Sequence, residues 1–136
     1  MKESIIKKIL LEEAKQSLLS DDVPVGALII ENDKIISKAH NTREKNKKIT
    51  GHAEINAVEK ACKKKKTWHL DNCELYVTLE PCTMCLEIIK QARIKKIYYY
   101  AKQEKITNQK EIELIKKENN LEFSTLLKQF FKNKRK

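Results

Sequence analysis

The chain of 136 residues carries a formal net charge of +10, with 35% charged and 40% hydrophobic residues. At this length it fits one domain, which buries roughly two thirds of the surface that the unfolded chain exposes. No apolar run approaches the length of about eighteen residues that a membrane-spanning helix needs. Acidic residues and lysines interrupt the apolar positions near the N-terminus, so we expect no signal peptide and a soluble, cytoplasmic protein.

Helices and strands are predicted to alternate along the chain. In chain order the predicted elements are a helix over 4–19, strands over 25–31 and 34–39, a polar loop over 40–51, a helix over 52–64, a strand over 74–78, a helix over 81–92, strands over 95–100 and 110–116, and a last helix over about 120–133. Asn32 and Asp33 between the first two strands indicate a hairpin. Pro81 suits the first turn of the third helix, because its missing N–H has no partner there. This alternation predicts an α/β domain with helices on both faces of one sheet.

The segment EPCTMC (80–85) places Cys82 and Cys85 at C-x-x-C spacing, which serves metal binding, a redox disulfide or simple packing. In a reducing compartment, metal binding or catalysis is favoured over a disulfide. A catalytic zinc ion takes three protein ligands and leaves its fourth position for water. His52 begins a predicted helix after a loop, as Cys82 does after a strand, and helix N-termini lower the pKa of thiols. One imidazole and two thiolates therefore predict a metal site with an open position.

Glu54 stands two residues after His52, near the predicted metal without being forced to bind it. Zinc lowers the pKa of a bound water to roughly 7, and a nearby carboxylate can pass the proton of that water to a leaving amine. Taken alone, an acid at this place is explained by the helix dipole. Cys62 and Cys73 lack ligand spacing, and we expect them to be buried or half-buried thiols. A structural site of all four cysteines would leave Glu54 without a role.

The order H-x-E followed by P-C-x-x-C is the signature of zinc nucleobase deaminases. Around it the chain resembles the bacterial TadA-type tRNA adenosine deaminases, of the cytidine-deaminase-like superfamily. The segments that carry the resemblance are DVPVGALI (22–29), AHNTRE (39–44), HAEINA (52–57), TWHL (67–70), LYVTLEPCTMC (75–85), ARI (92–94) and LLKQFFKNKRK (126–136). The resemblance implies a single deaminase domain over 1–136, with a three-layer α/β/α fold and an about five-stranded mixed sheet flanked by helices. It also implies a homodimer that converts the wobble adenosine of a tRNA anticodon to inosine.

The same resemblance implies the roles of individual residues. The residues implied to hold one zinc ion per subunit are His52, Cys82 and Cys85, with Glu54 as the general acid and base. Asn41 is implied to line the pocket and contact the flipped base, and the amide after the Glu80–Pro81 turn to hydrogen-bond the reacting water. The residues implied to bind the substrate are Val25, Asn41, Ala53, Pro81, Phe130 and Lys132.

The chemistry also favours RNA as the substrate class. Adenine can be attacked at C6 only when it leaves its stack, and an anticodon loop offers bases that are already splayed. Phe130 and Phe131 lie about 100° apart on a helix, so one of them is expected near the surface. The basic tail beside them is Lys132, Lys134, Arg135 and Lys136. A core phenylalanine followed by a solvated tail is the alternative, and the likeness to the family's ending favours RNA contact.

The net charge by itself does not decide the partner. It fits an anionic partner, yet only three of the 29 basic residues are arginine, so a coding bias toward lysine explains it equally well. Lysines within 60–66 are typical of a solvated helix end, whereas Arg43 and the lysines within 45–48 lie nearer to the expected pocket. Trp68 is expected to pack against the protein, and His69 to lie on the surface.

Two other functions fit parts of the sequence. A small-molecule deaminase acting on guanine, cytosine or a nucleoside shares the PCTMCL run and needs no basic tail. A non-catalytic RNA-binding partner subunit would keep zinc for structure, and Glu54 argues against it. The chain departs from the family at AKQEKITNQK (101–110), and it has Leu86 and Glu87 where the family places small residues. Neither departure changes the zinc ligands or Glu54.

Overall fold

The computed structural model describes residues 1–103, 111–118 and 120–134. In chain order its elements are α1 (Glu3–Leu18), β1 (Gly26–Glu31), β2 (Lys34–His40), α2 (Arg43–Asn46), α3 (Ala53–Lys65), β3 (Glu74–Leu79), α4 (Thr83–Gln91), β4 (Lys96–Ala101), β5 (Glu113–Lys116) and α5 (Leu121–Lys134). Every predicted helix and strand is present, and α2 is a short helix inside the segment predicted as a polar loop. Arg135, Lys136 and most of the departure at 101–110 lie outside the described residues.

The five strands form one mixed sheet in the order β2-β1-β3-β4-β5. β1 pairs antiparallel with both β2 and β3, whereas β3, β4 and β5 run parallel. The predicted hairpin joins β1 to β2, and its two turn residues, Asn32 and Asp33, both have positive φ values of 50° and 62°. Asparagine and aspartate tolerate this left-handed backbone, which suits a two-residue hairpin turn.

Helices cover both faces of the sheet. Along β1 the side chains alternate, so Leu28 and Ile30 pack with α1 on one face, and Ala27 and Ile29 join the larger core under α3 and α4 on the other. Phe123 of α5 belongs to the smaller core with α1. The predicted three-layer α/β/α architecture and the five-stranded mixed sheet are therefore confirmed. Among the described residues, no helix has the length and apolar character needed to cross a membrane.

Two residues of the predicted metal site precede their helices instead of starting them. His52 is the N-cap of α3, with φ −88° and ψ 146°, and Cys82 is the N-cap of α4, with φ −76° and ψ 173°. The prediction that Pro81 lies in the first turn of a helix is wrong, because Cys82 after it keeps an extended backbone and α4 begins at Thr83. An N-cap residue keeps this extended conformation because its backbone lies outside the helix.

Trp68 corrects a second prediction. Its side chain is 59% exposed and does not pack into the core. The guanidinium of Arg93 lies 5.2 Å from the Trp68 ring centroid and hydrogen-bonds His69 Nδ1 at 3.0 Å. His69 is accordingly half-buried, not a free surface residue. The packing expected of Trp68 is therefore made at the surface, against the neighbouring cation Arg93.

Candidate metal centre and active site

The starts of α3 and α4 bring together three side chains that could hold a metal ion. His52, Cys82 and Cys85 each offer one ligand atom, and these atoms lie within 4.8 Å of one another. His52 Nδ1 is 3.2 Å from Cys85 Sγ and 3.6 Å from Cys82 Sγ. This is the group of three predicted from the sequence. Cys62 is half-buried and Cys73 is buried, as expected, and neither joins such a group within the described part of the chain.

The two thiols of the cluster differ in their readiness to ionise. A hydrogen bond from Cys85, followed by one from His52, lowers the pKa of Cys82 to about 3. The same hydrogen bond and its own burial raise the pKa of Cys85. Cys82 is therefore a thiolate at neutral pH, and thiolate is the form of cysteine that binds metals. An imidazole, a thiolate and a second thiol fit a metal such as zinc, which accepts nitrogen and sulfur donors.

Glu54 lies in the first turn of α3 beside this cluster. Its side chain is only 4% exposed, and it is one of the few buried acids of the described chain. Burial raises the pKa of Glu54, and the carboxyl also hydrogen-bonds the Cys85 thiol. Burial disfavours the ionised form of a carboxyl group, and this is why the pKa is raised. The structure thus places a buried carboxyl group in contact with Cys85, one of the three side chains that could hold a metal ion.

Asn41 is hydrogen-bonded to two other residues that are expected to bind substrate, Val25 and Ala53. Its side-chain Oδ1 accepts a hydrogen bond from the Ala53 N–H at 2.7 Å, which satisfies one of the free donors at the start of α3. Its own N–H donates to the Val25 carbonyl at 3.2 Å. All three residues are buried. The sequence predicts Asn41 as a base contact, and the structure adds that its oxygen caps the helix that follows His52.

The turn before Cys82 contains a second buried acid that the sequence reasoning did not single out. Glu80 is 6% exposed, and its Oε1 accepts a hydrogen bond from the Gln103 N–H at 3.2 Å. Its N–H donates to the Ala101 carbonyl at 2.8 Å. Pro81 beside it is also buried. The sequence signal at this position is the proline that follows Glu80, because a residue before proline is restricted to an extended backbone.

The end of α5 lies against the end of α1. Phe130 is half-buried and lines a cleft of about 300 Å³, together with Leu18 and Asp21. Phe131 is 45% exposed, and its ring centroid is 5.3 Å from that of Phe130. The expectation that one of the two rings lies near the surface is met by Phe131, whereas the residue predicted to bind substrate was Phe130. Lys132 is exposed.

The chain resembles known deaminases over most of its length. The family model for MafB19-like deaminases matches residues 1–135. The chain belongs to the MafB19-like deaminase family. Over 94 residues, or 69% of its length, it is 48% identical to a tRNA-specific adenosine deaminase of Aquifex aeolicus. The match covers 62% of that protein, so the chain spans about three fifths of the length of this relative.

Two solved structures of related deaminases share the fold. The first, from a study of A-to-I editing by tRNA:A34 deaminases at the wobble position of transfer RNA, superposes with a TM-score of 0.83 at 28% identity and covers 91% of this chain and 99% of that one. The second, a guanine deaminase of Bacillus subtilis, gives a TM-score of 0.69 at 35% identity and covers 75% of this chain and 66% of that one. The expected cytidine-deaminase-like fold is thereby confirmed.

Proposed function

We propose that the chain catalyses the hydrolytic deamination of adenosine to inosine at the wobble position of tRNA, using one zinc ion per subunit. The observation that carries the proposal is the buried Glu54 beside the converging His52, Cys82 and Cys85. The likeness to a tRNA-specific adenosine deaminase at 48% identity supports adenosine in tRNA as the substrate. The reaction consumes one water molecule and releases ammonia.

Zinc fits this donor set, and His52, Cys82 and Cys85 would hold it. When bound, zinc would activate a water molecule for attack on C6 of adenine. Cys82 supports the assignment because its lowered pKa supplies a thiolate without an energetic cost at neutral pH. The N-terminus of α4 adds to this effect, since its free N–H groups favour negative charge.

Glu54 is the proton carrier of the proposed reaction. Its carboxylate takes a proton from the reacting water, gives it to the adenine ring nitrogen, and assists the departure of the C6 amine as ammonia. Burial suits this work, because the raised pKa of Glu54 brings its protonated and ionised forms closer in free energy at neutral pH. The carboxyl group is not needed as a metal ligand, since the imidazole and the two thiols already number three.

Asn41 is proposed to orient the flipped base. Its side-chain oxygen is held by the Ala53 N–H at 2.7 Å, which leaves the Nδ2 amine as the group that donates to the purine ring. Val25 fixes the backbone of Asn41 through its carbonyl, and Pro81 is buried beside the start of α4. The backbone amide of Cys82, after the Glu80–Pro81 turn, is proposed to hydrogen-bond the reacting water.

The basic end of α5 is proposed to contact the RNA outside the pocket. Phe130 and the more exposed Phe131 offer aromatic surface, and stacking of a base on such a ring contributes roughly 1–3 kcal/mol. Lys132 is exposed and free to approach a phosphate. We further propose that 1–136 forms one deaminase domain, that the active form is a homodimer, and that it works in the cytoplasm, where tRNA is found.

The proposal is tested by inosine formation in an anticodon stem-loop with adenosine at the wobble position. Glu54→Gln is expected to reduce kcat by about 10²–10⁴-fold, the usual contribution of general acid–base catalysis, with bound zinc unchanged. Glu59→Gln is the matched control, because Glu59 lies on the same helix but is exposed. Equal activity of the two variants would exclude Glu54 as the proton carrier. A zinc-loaded native protein with no turnover on this RNA would exclude the proposed substrate.

A small-molecule deaminase acting on free guanine is the second candidate. The observation that favours it is the 35% identity to the guanine deaminase of Bacillus subtilis. The two candidates differ in what they require of the basic tail. Deletion of residues 132–136 is expected to weaken turnover of the stem-loop under the first proposal and to leave guanine deamination intact under the second. Ammonia release from guanine, without inosine formation in RNA, would move the assignment to the second.

A further inference from the structure

Asp22 is a buried acid away from the metal-binding side chains. It is 2% exposed, and its carboxylate accepts three hydrogen bonds. The N–H of Glu44 donates to Oδ1 at 2.7 Å, and the N–H of Lys45 donates to Oδ2 at 3.2 Å. The Ser20 hydroxyl donates to Oδ2 at 2.6 Å. A buried carboxylate is costly unless it is hydrogen-bonded in this way, so these contacts fix its position.

Two of these donors belong to α2, in the loop between two site residues. Asn41 precedes this loop and His52 follows it. The loop is closed at its base, where the Thr42 N–H donates to the Gly51 carbonyl at 2.8 Å. A side chain at Gly51 would lie 2.7 Å from the backbone N of Arg43, so the two ends of the loop are in close contact. A shift of α2 would therefore displace both ends of the loop, and the second end, Gly51, is followed directly by His52.

A second set of hydrogen bonds joins Asp22 to the same place. The Asp22 N–H donates to the Ser17 carbonyl at 2.9 Å. The buried Ser17 hydroxyl donates to the Asn41 carbonyl at 3.0 Å. Asn41 in turn caps α3 through the Ala53 N–H. A continuous set of hydrogen bonds thus runs from Asp22, through Ser17 at the end of α1 and then Asn41, to Ala53, the first residue of the helix that carries Glu54.

We propose that Asp22 is a positioning residue for the metal centre: its carboxylate holds the 42–51 loop so that Asn41 and His52 keep their places. The expected effect of Asp22 on turnover rests on the proposed function, whereas its expected effect on zinc affinity does not. A purely structural role would instead lower only the stability of the fold.

Asp22→Asn and Asp71→Asn form a matched pair for the test. Both replace one carboxylate oxygen by an amide NH2 group, but Asp71 is exposed and lies in the turn before β3, away from the site and from the basic end of α5. In Asp22→Asn, the side-chain NH2 group cannot accept a hydrogen bond. At least one of the three donors that bond to the carboxylate therefore loses its acceptor. Groups that hydrogen-bond a metal ligand typically change metal affinity or activity by 10–100-fold, and Asp22 acts on His52 only through the loop, so its effect is expected at the low end of this range. We expect zinc affinity, measured by competition with a chromogenic chelator, to fall about tenfold in Asp22→Asn and further in Asp22→Ala.

Turnover of the stem-loop by the zinc-loaded variants is expected to fall in Asp22→Asn and further in Asp22→Ala. The loss should appear in kcat and not in KM alone. Asp71→Asn should match the native protein in both measurements. Zinc affinity and kcat within about twofold of that control, with only a lowered Tm, would overturn the proposal. If Asp22→Ala does not fold, Asp22→Asn and Ser20→Ala decide it, since Ser20→Ala removes a single donor. If the native protein does not deaminate RNA, the proposed function fails, and zinc affinity alone still decides the role of Asp22.

Discussion

At the scale of single residues, seven polar or charged side chains of the described chain are buried, and Asn41 and Glu54 among them belong to the proposed site. The seven are Ser17, Asp22, Ser37, Asn41, Glu54, Thr78 and Glu80. No buried side-chain nitrogen or oxygen in the described part of the chain lacks a hydrogen-bond partner. Because an unpaired buried polar group costs about 1–3 kcal/mol, each of these partners is a structural constraint as well as a chemical one. Asn41 shows both aspects most clearly.

Two substitutions of Asn41 separate capping of α3 from contact with the base. Asn41→Ala removes the acceptor of the Ala53 N–H and is expected to lower the free energy of unfolding by about 1 kcal/mol, as the loss of a helix cap does. Asn41→Asp keeps an acceptor oxygen, so stability in urea should return close to the native value. It lacks the Nδ2 donor, so kcat/KM on the stem-loop should stay low. Recovery of activity in Asn41→Asp would show that the amide donates nothing to the base.

The environment of Glu13 leads us to expect that the free energy of unfolding depends on pH. Its pKa is lowered, first by a hydrogen bond with His40 at 3.1 Å and then by nearby positive charges, including those of Lys38 and Lys60. A carboxyl group with a lowered pKa stabilises the fold above its unfolded pKa and loses this contribution as pH falls through its folded pKa. Glu13→Gln should therefore cost of the order of 1 kcal/mol at neutral pH, and progressively less as the pH falls below about 4.5.

The measurement for Glu13 is urea unfolding of the native protein and the variant across this pH range. Glu12→Gln is the matched control, because Glu12 is a neighbouring, exposed glutamate on α1. A difference between native and Glu13→Gln that is independent of pH would show that ionisation of Glu13 does not contribute to stability.

At the scale of elements, the site depends on where α3 and α4 begin. Each helix starts one residue after a metal-binding residue, and that residue keeps an extended backbone. The sheet fixes both starts, since α3 packs on β2 and β1, and α4 links the parallel strands β3 and β4. The opposite face is fixed by α1, which packs against β1 at Gly26 and leads through Ser17 to the Asp22 hydrogen bonds.

Gly26→Ala tests how closely α1 must approach the sheet. An added Cβ would lie 2.5 Å from the Leu10 carbonyl oxygen and 3.0 Å from the Ala14 nitrogen, both backbone atoms of α1. Because backbone cannot yield as a flexible side chain does, α1 must move, and overpacking of this kind costs about 1–3 kcal/mol. Urea unfolding measures the loss. Lys38→Ala, on an exposed strand position, should change stability by less than about 0.5 kcal/mol. An unchanged Gly26→Ala would show that α1 tolerates displacement.

At the scale of the whole molecule, the metal-binding group joins parts of the chain that are distant in sequence. His52 and Cys82 are 30 residues apart, and their helices lie against the same face of the sheet. A bound ion would therefore couple the first half of the fold to the second. A ligand that binds only the folded state stabilises it by about 2.7 kcal/mol when its concentration is 100 times its Kd.

Removal of zinc with a chelator is expected to lower Tm by several degrees, because a loss of about 1 kcal/mol shifts Tm by roughly 2–8 °C in domains of this size range. Cys82→Ser should bind less metal and show little further change on chelation. Cys62→Ser and Cys73→Ser are the controls, and each should keep one zinc ion per chain by elemental analysis. Loss of metal in either control would mean that the ligands have been wrongly assigned.

Much of the fold and of the candidate site could be predicted from local patterns. His52 lies 30 residues before Cys82, and the H-x-E and P-C-x-x-C motifs assign it to the same predicted site. The alternation of helices and strands, the hairpin at Asn32 and Asp33, and the pairing of Cys82 with Cys85 depend on spacings of a few residues. Such spacings are set by the periods of helix and strand and by the geometry of turns, so they can be recognised before the chain is folded. Glu54 follows in the same way, from its place two residues after His52.

Only the tertiary structure decided which distant groups meet. Asp22 binds the N–H of Glu44, 22 residues away, and Trp68 finds its partner in Arg93 instead of in the core. The sheet order β2-β1-β3-β4-β5 and the capping of α3 by Asn41 are likewise contacts between segments that are distant in sequence. The physical reason is that burial and long-range hydrogen bonds depend on how elements pack against one another, and local periodicity specifies the elements but not their packing. The sequence by itself therefore determined the chemistry of the site, and the packing of the folded chain determined what holds that site in place.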